Sequence, residues 1–157
     1  MRLKQLLSDP GAPSRDAGIL LLRVGLGIMF VGHGYPKLAG GPDTWQVYGE
    51  AMRHVGIPAA PLLWGFLAGL AELGGGILFG LGLLFRPACL VLAVTMLIAT
   101  VNHLAQGDGF IPASHPVEAG LVFLAFLFIG PGRWSLDARL ARKIEPRKNS
   151  TPKNSTF

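Results

Sequence analysis

Four stretches of this chain are apolar over helical lengths. They run from about Gly18 to Gly34, Pro61 to Phe85, Pro87 to Leu104 and Pro116 to Ile129. A hydrocarbon core about 30 Å thick takes about 20 residues of helix, with roughly 17 as the lower limit. The first three stretches reach that length, and the fourth is short unless it begins on its own proline. Pro61, Pro87 and Pro116 each suit a first helical turn, where the missing N–H costs no hydrogen bond. The second stretch is apolar on nearly every face, unlike the one-sided stripe of a soluble bundle helix. The pattern predicts an all-α fold, a four-transmembrane-helix bundle over residues 17–131, with helices at about 18–34, 61–85, 87–104 and 116–129.

The flanks are polar. Residues 1–16 carry charge and two prolines before any apolar run, so they are read as a cytoplasmic lead-in and not as a cleavable signal peptide. Arg86-Pro87 predicts a tight hairpin between the second and third helices, and Gly130-Pro131-Gly132 ends the fourth. Ser135 is placed to N-cap a short basic helix, Leu136–Ile144. The tail Pro146–Phe157 contains KNST twice and predicts disorder, so 132–157 is a basic cytoplasmic tail.

Composition agrees with a membrane domain. Of 157 residues 50% are hydrophobic and 15% charged, against about 25% charged in soluble domains. The net charge of +5 does not point to nucleic acid, because the basic residues gather after the last apolar run, from Arg133 to Lys153, as in a membrane anchor. With four crossings, Arg2, Lys4, Arg15, Arg86 and that cluster share one side, while Lys37 and Arg53 lie on the other. The positive-inside rule then puts both termini in the cytoplasm, and the segments Thr44–Pro58 and Gln106–His115 outside. Cys89 is the single cysteine, which excludes an internal disulfide and a CxxC redox pair. Its apolar neighbours make it a small core residue.

The candidate chemistry lies in side chains that a bilayer disfavours. A charge near the bilayer centre costs about 2.5–3.5 kcal/mol on insertion scales, so such residues face the bundle interior and often mark function. Here they are Arg23, His33, Glu72, His103 and Glu118, with Asn102 as a polar companion. At 1.5 Å per residue, His33, His103 and Glu118 share an outer depth, Glu72 falls near mid-membrane and Arg23 lies deeper towards the inner side. Gly65, Gly69, Glu72, Gly76 and Gly80 form one stripe, and small residues mark close-packed faces of membrane helices, so Glu72 is expected to point inward. Gly18, Gly25 and Gly32 repeat every seven residues and predict the packing face of the first helix. Arg23 is then expected to reach Glu72.

Each residue also has a plain structural use. Arg23 can snorkel or bridge to Glu72, His33 can cap a helix end, His103 with Asn102 can form an interfacial polar cluster, and Glu118 in a first turn suits the helix dipole. Their convergence in one bundle favours a shared polar site. Two His and two Glu can ligate a transition metal, with His33, His103 and Glu118 the natural set, although His115-x-x-Glu118 reverses the Glu-x-x-His order of di-iron bundles. His and carboxylate under an apolar roof can equally hydrogen-bond a quinone and move protons.

Three segments together carry a family resemblance: LLRVGLGIMFVGHGYPKLAG at Leu21–Gly40, GLAELGGGILFGLGLLFRPA at Gly69–Ala88 and GPGRWSLDA at Gly130–Ala138. They resemble the DoxX family of small bacterial membrane proteins over about Leu20 to Arg139. The resemblance implies a four-helix inner-membrane protein whose recurrent polar residues are here Arg23, His33, Lys37, Glu72 and His103. It also implies kinship with a subunit associated with thiosulfate:quinone oxidoreduction and with proteins linked to quinone, thiol or oxidative-stress responses. A shared fold does not carry over a reaction. Two functions therefore stand. One is a redox-associated protein, quinone-binding or accessory to a membrane oxidoreductase, with His33, Glu72, His103, Glu118 and Asn102 as the site and Arg23 and Lys37 as structural or proton-relay support. The other is a non-enzymatic protein that handles a metal or small ligand, or anchors a partner. The expected partners are the lipid bilayer, a redox protein and a second copy of the chain.

Overall fold

The computed structural model describes residues 11–144; the predicted tail disorder lies outside the described residues. Among the described residues there is no strand. Four long helices, α1 (Gly11–Ala39), α3 (Pro61–Leu81), α4 (Phe85–Gln106) and α5 (Phe110–Ile129), are long and apolar enough to cross a membrane. Between α1 and α3 lie α2 (Gly41–Gly49) and a 3-10 helix (Glu50–Val55), and α6 (Leu136–Ile144) closes the described chain.

The bundle has two differently built halves. α1 packs on α3 through glycine, backbone against backbone: a Cβ on Gly34 would stand 2.8 Å from the Gly69 carbonyl oxygen and from Leu73 Cα. The seam between these helices and the α4–α5 pair is aromatic. Phe79 of α3 is fully buried, with ring centroids 5.1 Å from Phe85, 5.1 Å from Phe123 and 5.2 Å from Phe126. Phe30 of α1 joins the cluster 4.8 Å from Phe123, edge to face, the arrangement ring quadrupoles favour.

Several boundaries differ from the sequence expectation. The α3–α4 bend is at Gly82–Leu84, not Arg86-Pro87. Gly82 ends α3 in the left-handed conformation (φ 65°), and its N–H closes onto Phe79 O at 3.1 Å. Pro87 still falls in the first turn of α4. The fourth span does not start on Pro116, which is buried inside α5. The helix begins at Phe110, so Pro112 is the first-turn proline, and Glu118 lies about two turns in rather than at the helix end. The segment read as an outer loop at Thr44–Pro58 is largely helical, because α2 lies against α3: a Cβ on Gly65 would collide with the Trp45 backbone. The predicted packing face of α1 is also corrected. A Cβ on Gly18, Gly25 or Gly32 meets nothing within 4 Å, and Gly27 and Gly34 make the contact with α3.

Candidate functional site

Two charged side chains are buried in the α1–α3 interface, Arg23 and Glu72, each 2% exposed. They do not meet. The expected Arg23–Glu72 bridge is overturned by the register of the two helices, which sets Arg23 beside Gly80, eight residues from Glu72 or about 12 Å along α3.

Arg23 instead ties the ends of the spans together. Its Nε donates to Gly80 O at 3.1 Å, its Nη2 to Trp134 O at 3.0 Å and its Nη1 to Pro131 O. Around it the segment after α5 is held by further bonds. Asp16 Oδ1 accepts from Arg133 N at 3.0 Å. Ser135 Oγ accepts from Ala138 N at 3.1 Å, the expected N-cap of α6. Asp137 accepts from Leu84 N at 3.0 Å and Phe85 N at 2.9 Å, capping α4 from another element. This cap offsets the strain of Leu84, a non-glycine residue at φ 45°. Gly82 has to be glycine for space as well as for conformation, since a Cβ there would collide with the Arg23 guanidinium and crowd Ser135 Cβ. Every polar bond of Arg23 goes to a backbone carbonyl, which is the arrangement of a structural lock.

Glu72 has a different environment. Lys37, in the last turn of α1, donates to Glu72 Oε1 at 2.6 Å. The ammonium also lies 4.6 Å from the centroid of the Tyr48 ring of α2, a cation–π contact worth about 0.5–2 kcal/mol. A cation in the last turn of a helix is further favoured by the helix dipole. Gly69, one turn before Glu72, keeps α3 low enough for Lys37 and Leu38 to lie over it. Glu72 Oε2 is buried with no hydrogen-bond partner, as is Trp45 Nε1 on the neighbouring α2. A buried polar atom left unpaired costs about 1–3 kcal/mol, so Glu72 Oε2 is a group that a ligand atom would satisfy.

The other candidates lie apart from this pair. His33 is exposed, with its ring edge-on to Phe30 at 6.1 Å. His103 is half-buried, and its Nδ1 lies 2.7 Å from Asp108 Oδ2. Because Asp108 N also donates to His103 O, at 3.2 Å, the pair closes the short turn between α4 and α5. Asn102 Oδ1 accepts from Gln106 Nε2 at 3.1 Å, one turn along the same helix. Glu118 is exposed on α5. The suggested metal set of His33, His103 and Glu118 does not assemble: among the described residues no three His, Cys, Asp or Glu side chains are grouped to hold a metal ion. Cys89 is fully buried and unpaired, as its neighbours predicted.

The sequence carried the face of α1 that holds Lys37, though not its pairing with Glu72. Arg23, Gly27, Phe30, Gly34 and Lys37 fall at spacings of four, three, four and three, a single helix face. It holds Arg23 and Lys37, and the burial rule for intramembrane charges selects it over the Gly18–Gly25–Gly32 row. Tyr48 and Trp45 had no comparable signal, because their segment reads as loop.

Comparison with known proteins agrees with this architecture. The DoxX family model matches residues 18–104. An uncharacterized membrane protein of Mycobacterium tuberculosis is 34% identical over 88% of this chain and 88% of its own length. The inner membrane protein YqjF of Escherichia coli is 34% identical over 82% of this chain and 95% of its own. CatD of Bacillus subtilis, whose name provisionally calls it an oxidoreductase, is 34% identical over 57% of this chain and 61% of its own. No solved structure matches the chain.

Proposed function

The chain belongs to the DoxX family and is a multi-pass membrane protein, and from that premise we propose that it is a redox-associated inner-membrane protein that binds a quinone headgroup at the Glu72–Lys37 pair. The observation that carries this is the buried Glu72 carboxyl, with one oxygen on Lys37 and the other without a partner. A quinone presents two carbonyl oxygens on an apolar ring. Lys37 can donate to one of them, and Glu72 Oε2, once protonated, can donate as well. Reduction of a quinone takes up two protons with two electrons, and the carboxyl–ammonium pair can hold and pass a proton at Oε2. The electrons come from a partner oxidoreductase, to which this chain is accessory. The naming of CatD and the inner-membrane naming of YqjF support the redox association and the location.

Titration of the purified protein with a water-soluble quinone, followed by Trp fluorescence, tests the site. The expected result is saturable quenching, weakened at least about tenfold in Glu72→Leu, which removes the donor, the equivalent of about 1.4 kcal/mol. Equal binding by wild type, Glu72→Leu and Lys37→Met would remove the pair from the site.

The second reading is a membrane anchor for a partner protein or a second copy of the chain. The outward row Gly18, Gly25 and Gly32, open on α1, lets another helix approach closely. Co-purification of a stoichiometric partner with no quinone response would favour it.

A further inference from the structure

The lock around Arg23 fixes more than the ends of the spans. It holds α6 in a set orientation against the α3–α4 bend, through Asp137 N donating to Gly82 O at 2.9 Å and the Asp137 carboxylate on Leu84 and Phe85. Between α6 and that bend lies an open cleft of about 620 Å³, lined by Leu83, Leu136, Arg139, Leu140, Arg142 and Lys143. The lining is sorted by helical spacing. Leu136, Leu140 and Ile144 recur every four residues and make one apolar stripe, and Arg139, Arg142 and Lys143 run along its flank. Leu140 is 48% and Ile144 79% exposed, and Trp134, just before α6, is 51% exposed.

The basic flank has no acidic counterpart. Among the described residues no carboxylate pairs with Arg139, Arg142 or Lys143. Arg142 Nε bonds Ala138 O at 3.1 Å on its own helix and its Nη2 bonds Arg133 O at 3.5 Å, while Arg139 and Lys143 have no side-chain hydrogen bond among the described residues. The cleft sits where three spans end, which for a membrane protein is headgroup depth. Exposed leucines beside unpaired cations at that depth match an anionic lipid on both counts, acyl chain to the stripe and phosphate to the flank.

We propose that the cleft between α6 and the α3–α4 bend is a binding site for one anionic glycerophospholipid, with its phosphodiester held by Arg139 and Lys143 and an acyl chain against Leu83, Leu136 and Leu140. Arg142 borders the phosphate but stays on the backbone carbonyls of Ala138 and Arg133. The lock that orients α6 makes this a formed site and not a diffuse basic tail. The site is independent of the Glu72–Lys37 pair and does not rest on quinone binding.

The test uses the full chain purified in a neutral detergent, with phosphatidylglycerol, phosphatidylcholine or inorganic phosphate added separately. Phosphatidylglycerol should raise the melting temperature by roughly 3 °C or more at saturation and persist as a 1:1 adduct in native mass spectrometry. Phosphatidylcholine and millimolar phosphate should do neither. The double variant Arg139→Gln/Lys143→Gln should melt like wild type without lipid and lose both the shift and the adduct. Leu140→Ser should keep its basal melting temperature and weaken the adduct. The proposal is overturned if phosphatidylcholine matches phosphatidylglycerol, if phosphate alone reproduces the shift, or if the Arg139→Gln/Lys143→Gln chain binds phosphatidylglycerol as wild type does.

Discussion

Arg23 and Glu72 lie in one interface, between the same two helices, and are equally buried, yet they are satisfied in opposite ways. Arg23 spends its guanidinium on the carbonyls of Gly80, Pro131 and Trp134. Glu72 has Lys37 on one oxygen and nothing on the other. A buried charge with a partner on each polar atom can be assigned to stability, whereas one with a polar atom left unpartnered carries a cost that folding does not explain. Arg23 is bonded to the segment Gly130–Asp137, GPGRWSLD, whose residues cap, clamp and turn. That segment marks the architecture, and the proposed chemistry lies some 12 Å away by helical rise.

Arg23→Met should break the comparison most severely. It leaves three carbonyls without their donor and an apolar chain against Gly82, so a loss of about 3 kcal/mol or more is expected, read as a large fall in melting temperature or as failure to purify. Glu72→Gln should cost under about 1 kcal/mol, because the amide oxygen still accepts from Lys37. If the two variants melt alike, the division into lock and site is wrong. Lys37→Met comes between them in effect, since it leaves an unpartnered carboxyl in the interior. It should destabilise more than Glu72→Gln, and the double variant should recover part of the loss in a double-mutant cycle.

A smaller effect separates the two glycine rows of α1. Gly34→Ala drives a Cβ into the Gly69 and Leu73 backbone, which cannot yield. It should cost about 1–3 kcal/mol and disturb the Lys37–Glu72 contact one turn away. Gly32→Ala meets nothing within 4 Å and should change stability by no more than about 0.5 kcal/mol. The smallest change expected is a gain. Leu84 is exposed and held at φ 45°, so Leu84→Gly should stabilise the bend by up to about 1 kcal/mol, measured as a rise in melting temperature. A fall would mean that its side chain packs usefully against lipid.

Hydropathy alone located the four spans, because a bilayer enforces length and apolarity on any helix that crosses it. The boundaries drifted where a turn was decided by something non-local. Gly82 outranked Arg86-Pro87 as the bend because Ser135 and Arg23 crowd the space a Cβ would need there. Ser135 as the cap of α6 was readable, being a bond within three residues, and so was Glu72 on the glycine face of α3. His103 was read as part of an intramembrane site and instead closes a turn with Asp108, a residue too far outside the span to be weighed with it.

The sequence by itself determined an all-helical membrane bundle, which of its residues are too polar for lipid, and that Glu72 turns inward. Those follow from hydrophobicity and from the 3.6-residue period, both local properties of the chain. Only the tertiary structure decided that Arg23 closes the lock while Lys37 meets Glu72. That outcome depends on the register in which α1 slides along α3, and the register is set by Gly27 and Gly34 nesting against Gly76, Gly80 and Gly69. A pairing between residues 35 positions apart in sequence is fixed by that contact, and no local pattern in either helix contains it.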